Sequence, residues 1–522
     1  MIRSGFVCLR LIPLCLMCVA AGLLLAAQPA AQAPQGVLWD SYEKAAGLLG
    51  RAAEAHGGAA AIRGLTALSF RWEGDDYAPT QGRVPGWDTE ENARTTIQHV
   101  RMDLARSRYV WDREFHFPGG YLNAIRAIGN GTEFLIYNPE PERGMGGTTY
   151  QRDSGGAAAR GTLAQASASL PVLQVRAALA RPTTLRHLGD VRTEGVREEA
   201  IGYTTAEGDA VSLYFDAGTH LLTRRELIGL GSLGDEVNTS AYSDYRTVAG
   251  FALPHVMEIR WNGHLAGRHR LVEFSVKAEL PDTLFQVPEG YIATPAPPAP
   301  AVVPIADGVA FVENLGGGYR MLVVDTDEGL VVVDAPLSAQ VSTAAIALIE
   351  KTFPGRPFRH VVITHHHSDH ISGIPAFAAK GATILVAPGS EAYVRRMSTV
   401  PRTIGRIGLP PEPKPAITIE PVTGRRTFGR GARSIEIIDV SPSSHAASML
   451  AVYVPSERLL FQGDLLRVNQ HGGAVMSPDA TRDLARIIER FGLDVETIGA
   501  VHGRNATMAD LRGVLARVDR GR

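Results

Sequence analysis

The stretch Thr364-His365-His366-His367-Ser368-Asp369-His370 carries four histidines and one aspartate, and it follows directly on the apolar segment His360-Val361-Val362-Ile363. That segment reads as a short buried parallel strand, with the cluster on the loop at its C-terminal end. In open α/β architectures ligands gather at this edge. His365 and His367 are expected to face one way, and Asp369 and His370 another. Neutral imidazoles and a carboxylate turned inward from one loop are good ligands for zinc-like divalent cations. A single cluster is also compatible with a polar surface loop, so the reading depends on partners elsewhere in the chain.

Working outward, four further polar residues emerge just beyond apolar runs. Asp334 ends Gly329-Leu330-Val331-Val332-Val333-Asp334. His445 closes Ser441-Pro442-Ser443-Ser444-His445 after the strand-like Ile435 to Val440. Asp464 follows Phe461-Gln462-Gly463, and His502 follows Ile498-Gly499-Ala500-Val501. Taken singly, His445 and His502 read as ordinary surface or core histidines, and Gly463-Asp464 as an ordinary turn. Their order along the chain is what gives them weight.

In that order the elements resemble the metallo-β-lactamase superfamily, whose signature His-x-His-x-Asp-His is matched by residues 365–370. The resemblance runs from roughly residue 305 to the end and does not extend to the first part of the chain. It implies an αβ/βα four-layer sandwich. It also implies that His365, His367 and His445 hold one metal and that Asp369, His370 and His502 hold a second. Asp464 would bridge the two, and Asp334 would brace the metal loop from outside the ligand set. His366 would point away. The implied cofactors are two divalent ions, zinc first, with iron or manganese also accepted. Two such cations lower the pKa of a shared water and polarise the bond it attacks, so the implied activity is hydrolysis by a metal-bound hydroxide, with Asp369 orienting it and passing on a proton.

The bridging position narrows the substrate. Several true β-lactamase branches place a cysteine there, whereas this chain has Asp464. Aspartate is the pattern of glyoxalase II-like thioesterases, lactonases, phosphodiesterases and sulfatases, so an ester, thioester, lactone or related bond is the expected target. Thr364-His365-His366-His367 is reminiscent of glyoxalase II, but the short run after His502 is expected to leave no room for that enzyme's helical substrate domain. The alternatives are a mono-iron oxidoreductase of the persulfide-dioxygenase kind, a β-lactam hydrolase, and an envelope- or lipid-binding protein with a vestigial metal site.

The rest of the chain sets the context. A length of 522 residues predicts two or three domains. A formal net charge of −2, with no basic run, gives no case for a nucleic-acid partner, and the hydrolase that the resemblance implies would take a small-molecule substrate. Arg3 and Arg10, the apolar run Leu11 to Ala27 and the small residues up to Gln35 have the layout of a secretory signal peptide, with cleavage at Ala31-Gln32-Ala33 or near Ala30. A periplasmic or secreted protein is expected, an uncleaved anchor being the lesser reading. All three cysteines (Cys8, Cys15 and Cys18) lie in this segment, so the processed chain would have neither disulfides nor thiolate ligands.

The proline-rich stretch 294–304 is expected to be a stiff linker dividing residues 36–293 from 305–522. The first part opens with a helix over Ser41 to His56 and continues with strands at Leu68–Glu73, Arg108–Trp111, Glu133–Tyr137, Ala210–Phe215, Leu221–Ile228, Phe251–Trp261 and Arg268–Lys277. Asn262-Gly263 is the turn between the last two. This predicts a mostly antiparallel, β-rich α+β domain. Its hairpin-rich pattern resembles the curved half-barrel of periplasmic lipoprotein carriers, which implies lipid or envelope contact. Its eight histidines (56, 99, 116, 187, 220, 255, 264 and 269) show no ligand spacing and are expected at the surface. In the second part strands and helices alternate, which predicts a layered α/β domain. Tyr393 and Tyr453 read as core residues, Ser443 and Ser444 lack a base at motif spacing, and His471 reads as a loop residue. Specificity is expected in loops around 395–415 and 466–478.

Overall fold

The computed structural model describes residues 36–77, 80–86, 94–116, 122–141, 148–231, 233–295, 298–404, 416–469 and 477–520. The expected signal segment, His471 and much of both expected specificity loops lie outside these residues. Among the described residues no helix is long and apolar enough to cross a membrane.

Residues before the proline-rich stretch build one 14-stranded sheet, antiparallel except for the short edge strand Ile292–Ala293. Two meanders meet where Ala67–Asp76 pairs with His264–Lys277. Leu68, Phe70 and Trp72 alternate along the first of these strands and are all buried, so they line one face. The helices Val37–Ala55 and Pro171–Leu179 cover that face, through Leu48, Leu49 and Ala52 on the first and Val172 and Val175 on the second. Burying each large apolar side chain there contributes roughly 1.5–3 kcal/mol. Asn262 (φ 48°) and Gly263 (φ 84°) both adopt positive φ, as a two-residue hairpin turn requires.

Two of the eight histidines expected at this domain's surface are instead fully buried. His56 Nδ1 lies 2.8 Å from the Ala52 carbonyl, and its Nε2 accepts from the Leu222 N–H at 3.3 Å. His269 Nε2 lies 3.0 Å from Asp76 Oδ1. A histidine with local hydrogen-bond partners can be buried without any metal, and that is what the spacing argument missed.

The second part forms two facing sheets. One has seven strands in the order Ala301–Ala306, Val309–Glu313, Met321–Thr326, Gly329–Val333, Phe358–Val362, Thr383–Val386 and Ile419–Pro421. The other has six, Arg425–Phe428, Ile435–Asp439, Leu450–Val454, Leu459–Phe461, Thr497–Gly499 and Ala506–Thr507. Between them pack Phe311, Val331, Val333, Val362, Ile437, Val452 and Phe461. Leu330, Val332 and Val361 point the other way, towards the helix Ala339–Thr352, which Ser338 caps by accepting from the Val341 N–H at 3.2 Å. Leu484, Ile487, Leu511 and Val514 of the helices Pro478–Arg490 and Met508–Arg520 cover the outer face of the six-stranded sheet. This is an αβ/βα four-layer sandwich. Because both faces of its strands are buried, they read as continuous apolar runs.

One boundary is corrected. Residues 301–304, expected in the linker, open the strand Ala301–Ala306 at the edge of the seven-stranded sheet. An edge strand can hold Pro304, which lacks the N–H that a central strand would need. The two parts also touch directly. The Asp235 carboxylate accepts from the N–H groups of Thr403 and Ile404 and from the Thr403 hydroxyl, at 2.7–3.0 Å.

Candidate metal centre

Parallel strands of both sheets end at the same edge. The strand Phe358–Val362 runs into the loop bearing His365 and His367 and then the short helix Ser368–Ile371, which carries Asp369 and His370. His445 lies between Ile435–Asp439 and Leu450–Val454, Asp464 just after Leu459–Phe461, and His502 just after Thr497–Gly499. A bridge between His365 and Met449 joins the two sheets at this point.

All seven side chains expected as ligands come together, in two groups. His365, His367 and His445 present ring nitrogens to one another, and so do Asp369, His370, Asp464 and His502 with nitrogen and carboxylate atoms. His365 Nε2 lies 3.0 Å from His367 Nδ1 and 3.1 Å from His445 Nε2. Asp464 Oδ2 stands between the groups, 3.4 Å from His370 Nε2, 3.3 Å from His502 Nε2 and 3.9 Å from His445 Nε2. His366 joins neither group, and its buried ring packs edge-on against Tyr393.

The donor set fits divalent cations. Five imidazoles and two carboxylates converge, four of the side chains buried and three partly so, and neither His370 Nε2 nor Asp464 Oδ1 has a hydrogen-bond partner among the described residues. Such orphaned polar atoms are costly in a protein interior. Burial, reinforced by the neighbouring imidazoles, holds His365 and His367 well below the usual histidine range, and burial also lowers His445. These rings are therefore neutral, as ligands must be. In the second group burial acts the other way on the charges, but the pairings win. His370 and His502 are raised by Asp369 and Asp464, while both carboxylates are lowered by the histidines. A group that stabilises positive charge this strongly is the electrostatic counterpart of a cation site.

Bracing comes from residues just behind the ligands. Asp334, at φ 66°, accepts from the Thr364 N–H at 2.8 Å and the Thr364 hydroxyl at 2.9 Å, and its Oδ2 lies 3.1 Å from His370 Nδ1. Gly463 takes φ 65° where a Cβ would come within 2.9 Å of Thr364 Oγ1. Two more participants had no motif to announce them. The Tyr319 hydroxyl donates to Asp369 Oδ2 at 2.8 Å, with its ring on His502, and burial and Asp369 keep that phenol protonated by raising its pKa. The Gln81 amide, from the N-terminal part, donates to Asp369 Oδ1 at 2.6 Å. Tyr453 packs under the outer helices with its hydroxyl on the Asp494 carbonyl, and Ser443 Oγ donates to the Ala446 carbonyl, so both stay structural.

A family model described as the metallo-beta-lactamase superfamily matches residues 315–502, which span all seven of these side chains. The C-terminal domain belongs to the metallo-β-lactamase superfamily. Curated relatives of this metallo-β-lactamase domain include the hydroxyacylglutathione hydrolase of Ruegeria pomeroyi, 26% identical over 159 residues, or 30% of this chain and 51% of the relative. The hydroxyacylglutathione hydrolase of Rhodobacter capsulatus is 31% identical over 154 residues, 29% and 49% respectively. The chain thus spans about half the length of the curated relatives it matches. Solved structures similar to the domain include DIM-1 metallo-beta-lactamase, at TM-score 0.33 and 16% identity over 44% of this chain and 100% of that one. Another is the sec-alkylsulfatase Pisa1 from Pseudomonas sp., at TM-score 0.31 and 15% identity over 42% and 41%.

Proposed function

We propose that the protein is an exported metallohydrolase that cleaves an ester, thioester or lactone bond. The observation that carries this reading is the pair of adjoining donor groups, with Asp464 reaching both. When bound, two divalent cations so placed supply an activated water and polarise the bond it attacks. His365, His367 and His445 would hold one ion, and Asp369, His370 and His502 the other, with Asp464 shared. The chain's own residues then set the geometry. Asp369 is kept ionised by His370 and His502, against the effect of burial, so its carboxylate is available to a cation and as an acceptor that orients the attacking water. Tyr319 and Gln81 each donate to one of its oxygens and fix its orientation. The absence of cysteine after residue 18 leaves an all-nitrogen-and-oxygen ligand set, which suits zinc and also accepts iron or manganese.

Acyl substrates rank first because the two curated relatives are named hydroxyacylglutathione hydrolases, which act on a thioester. Export rests on the signal-like segment before residue 36, and N-terminal sequencing of the protein recovered from the producing cell tests it. The activity is tested by screening the purified protein against thioester, lactone, phosphodiester, sulfate ester and β-lactam substrates, with metal analysis. The expected result is chelator-sensitive hydrolysis of an acyl substrate and about two zinc per chain. One iron per chain with oxygen uptake would instead support the persulfide-dioxygenase alternative and overturn hydrolysis.

A further inference from the structure

The residues after the N-terminal strand Ala67–Asp76 do not stay with their own sheet. Thr80, Gln81, Gly82 and Arg83 run across the rim of the metal pocket and make a polar contact at every position. The Thr80 carbonyl accepts from the Ser368 N–H at 3.0 Å, and the Arg83 carbonyl accepts from the Ala447 N–H at 2.7 Å. Between them, Gln81 Nε2 donates to Asp369 Oδ1 at 2.6 Å, and the Gly82 carbonyl lies 2.9 Å from His367 Nε2. The segment therefore touches the loop that carries four expected ligands and also the one that carries His445.

The two central contacts act on different donor groups. His367 Nδ1 faces His365 Nε2 within the first group, so the ring is directed inward through Nδ1. Its Nε2–H then donates outward to the Gly82 carbonyl, the arrangement that fixes the tautomer of a ligating imidazole. Asp369 belongs to the second group. Its Oδ2 faces His370 and His502, and its Oδ1 is taken by Gln81.

We propose that the N-terminal domain completes the metal centre of the C-terminal one, with the Gly82 carbonyl positioning His367 and the Gln81 carboxamide positioning Asp369. Metal occupancy and docking of the two domains are then coupled. This rests on the metal-site reading given above. Gln81 is a positioning residue, and its side chain is exposed, so replacing it leaves the core untouched.

The test uses the full-length chain stripped of metal and retitrated with zinc against a chromophoric chelator, wild type beside Gln81→Met. Methionine keeps the length of the side chain and removes the donor. The expected result is two equivalents in the wild type. In the variant one of them is weakened about 10–100-fold, as for other outer partners of metal ligands, with the other equivalent and the Tm of the metal-free protein unchanged. Two equivalents of unaltered affinity in the variant would overturn the proposal and leave the metal-site reading standing. Equal weakening of both, with a lower Tm of the metal-free protein, would reduce Gln81 to a structural role and also overturn it. A wild type that binds no zinc would overturn both.

Discussion

Asp334 Oδ2 lies 3.1 Å from His370 Nδ1, and both side chains are fully buried. The same carboxylate accepts from the Thr364 N–H and hydroxyl, so one side chain orients a ligand ring and pins the start of the loop that carries it. With Nδ1 committed to Asp334, His370 Nε2 is directed at Asp369 and Asp464. Asp334→Asn keeps the volume but turns one acceptor into a donor that must face the donors of Thr364 or His370. Zinc affinity is expected to fall about 10–100-fold. Asp334→Ala should also unfold more readily, because each buried donor left without its acceptor costs about 1–3 kcal/mol. Chelator-competition titration and calorimetry of the two variants check this. Wild-type zinc affinity in Asp334→Asn would rule out the bracing role.

Gly463 shows how closely the two sheets meet behind the ligands. At φ 65° an alanine would adopt the left-handed conformation at about 1–2 kcal/mol. Its Cβ would also sit 2.9 Å from Thr364 Oγ1 and 3.0 Å from Met449 Cε. Since Thr364 is the hydroxyl that Asp334 holds, relief of that clash displaces the brace. Gly463→Ala is expected to lower the calorimetric transition of the C-terminal domain and to weaken zinc binding together. A variant with wild-type stability would show that the close approach is absent in solution.

Metal removal should be visible in stability as well as activity. A ligand bound to the folded state alone, at 100 times its Kd, stabilises by about 2.7 kcal/mol. Stripping zinc with EDTA is therefore expected to lower the Tm of the C-terminal domain, and restoring zinc should return it. All five tryptophans, Trp39, Trp72, Trp87, Trp111 and Trp261, precede the proline-rich stretch. Trp261 packs against the core around the seven-stranded sheet, so tryptophan fluorescence does not separate the two domains and calorimetry is needed for the C-terminal one. An EDTA-insensitive calorimetric trace would count against a metal site here.

What the sequence made legible follows from where selection of residue type is tightest. Strands buried on both faces, such as Gly329–Val333, must be apolar throughout, and in open α/β sheets candidate ligands are sought just beyond their ends. His365, His367, Asp369, His370, His445, Asp464 and His502 could all be picked out on that basis. The N-terminal sheet was legible only where one face is strongly apolar, as in Leu68, Phe70 and Trp72. Its strand Gly234–Val248 is largely polar and only intermittently buried, so it carried no period-2 signal. Tyr319 and Gln81 were missed for a different reason. Each acts through a contact made far along the chain, 50 and 288 residues away, and neither residue type at its position marks chemistry.

His56 links the fold of the N-terminal domain to pH. It sits just past the end of the helix Val37–Ala55, with one ring nitrogen on the Ala52 carbonyl and the other accepting from the Leu222 N–H of the sheet. A ring that accepts at one nitrogen must be neutral. Burial lowers its pKa from 6.5 to about 4, with the Ala52 bond only partly opposing the shift. In the unfolded chain the same ring takes up a proton near its ordinary pKa, so between these values the unfolded state binds more protons than the folded one. Stability is therefore fully present above pH 6.5 and is lost as pH falls towards 4. The loss attributable to His56 is roughly 3 kcal/mol by linkage. His56→Gln offers a donor and an acceptor but does not titrate. Urea unfolding followed by tryptophan fluorescence should give a wild-type-minus-variant difference that shrinks with acidification across this window and is flat above it. Because other titrating groups are common to both proteins, a difference that stays constant from pH 7 to 4 would mean that His56 is not held neutral by the fold.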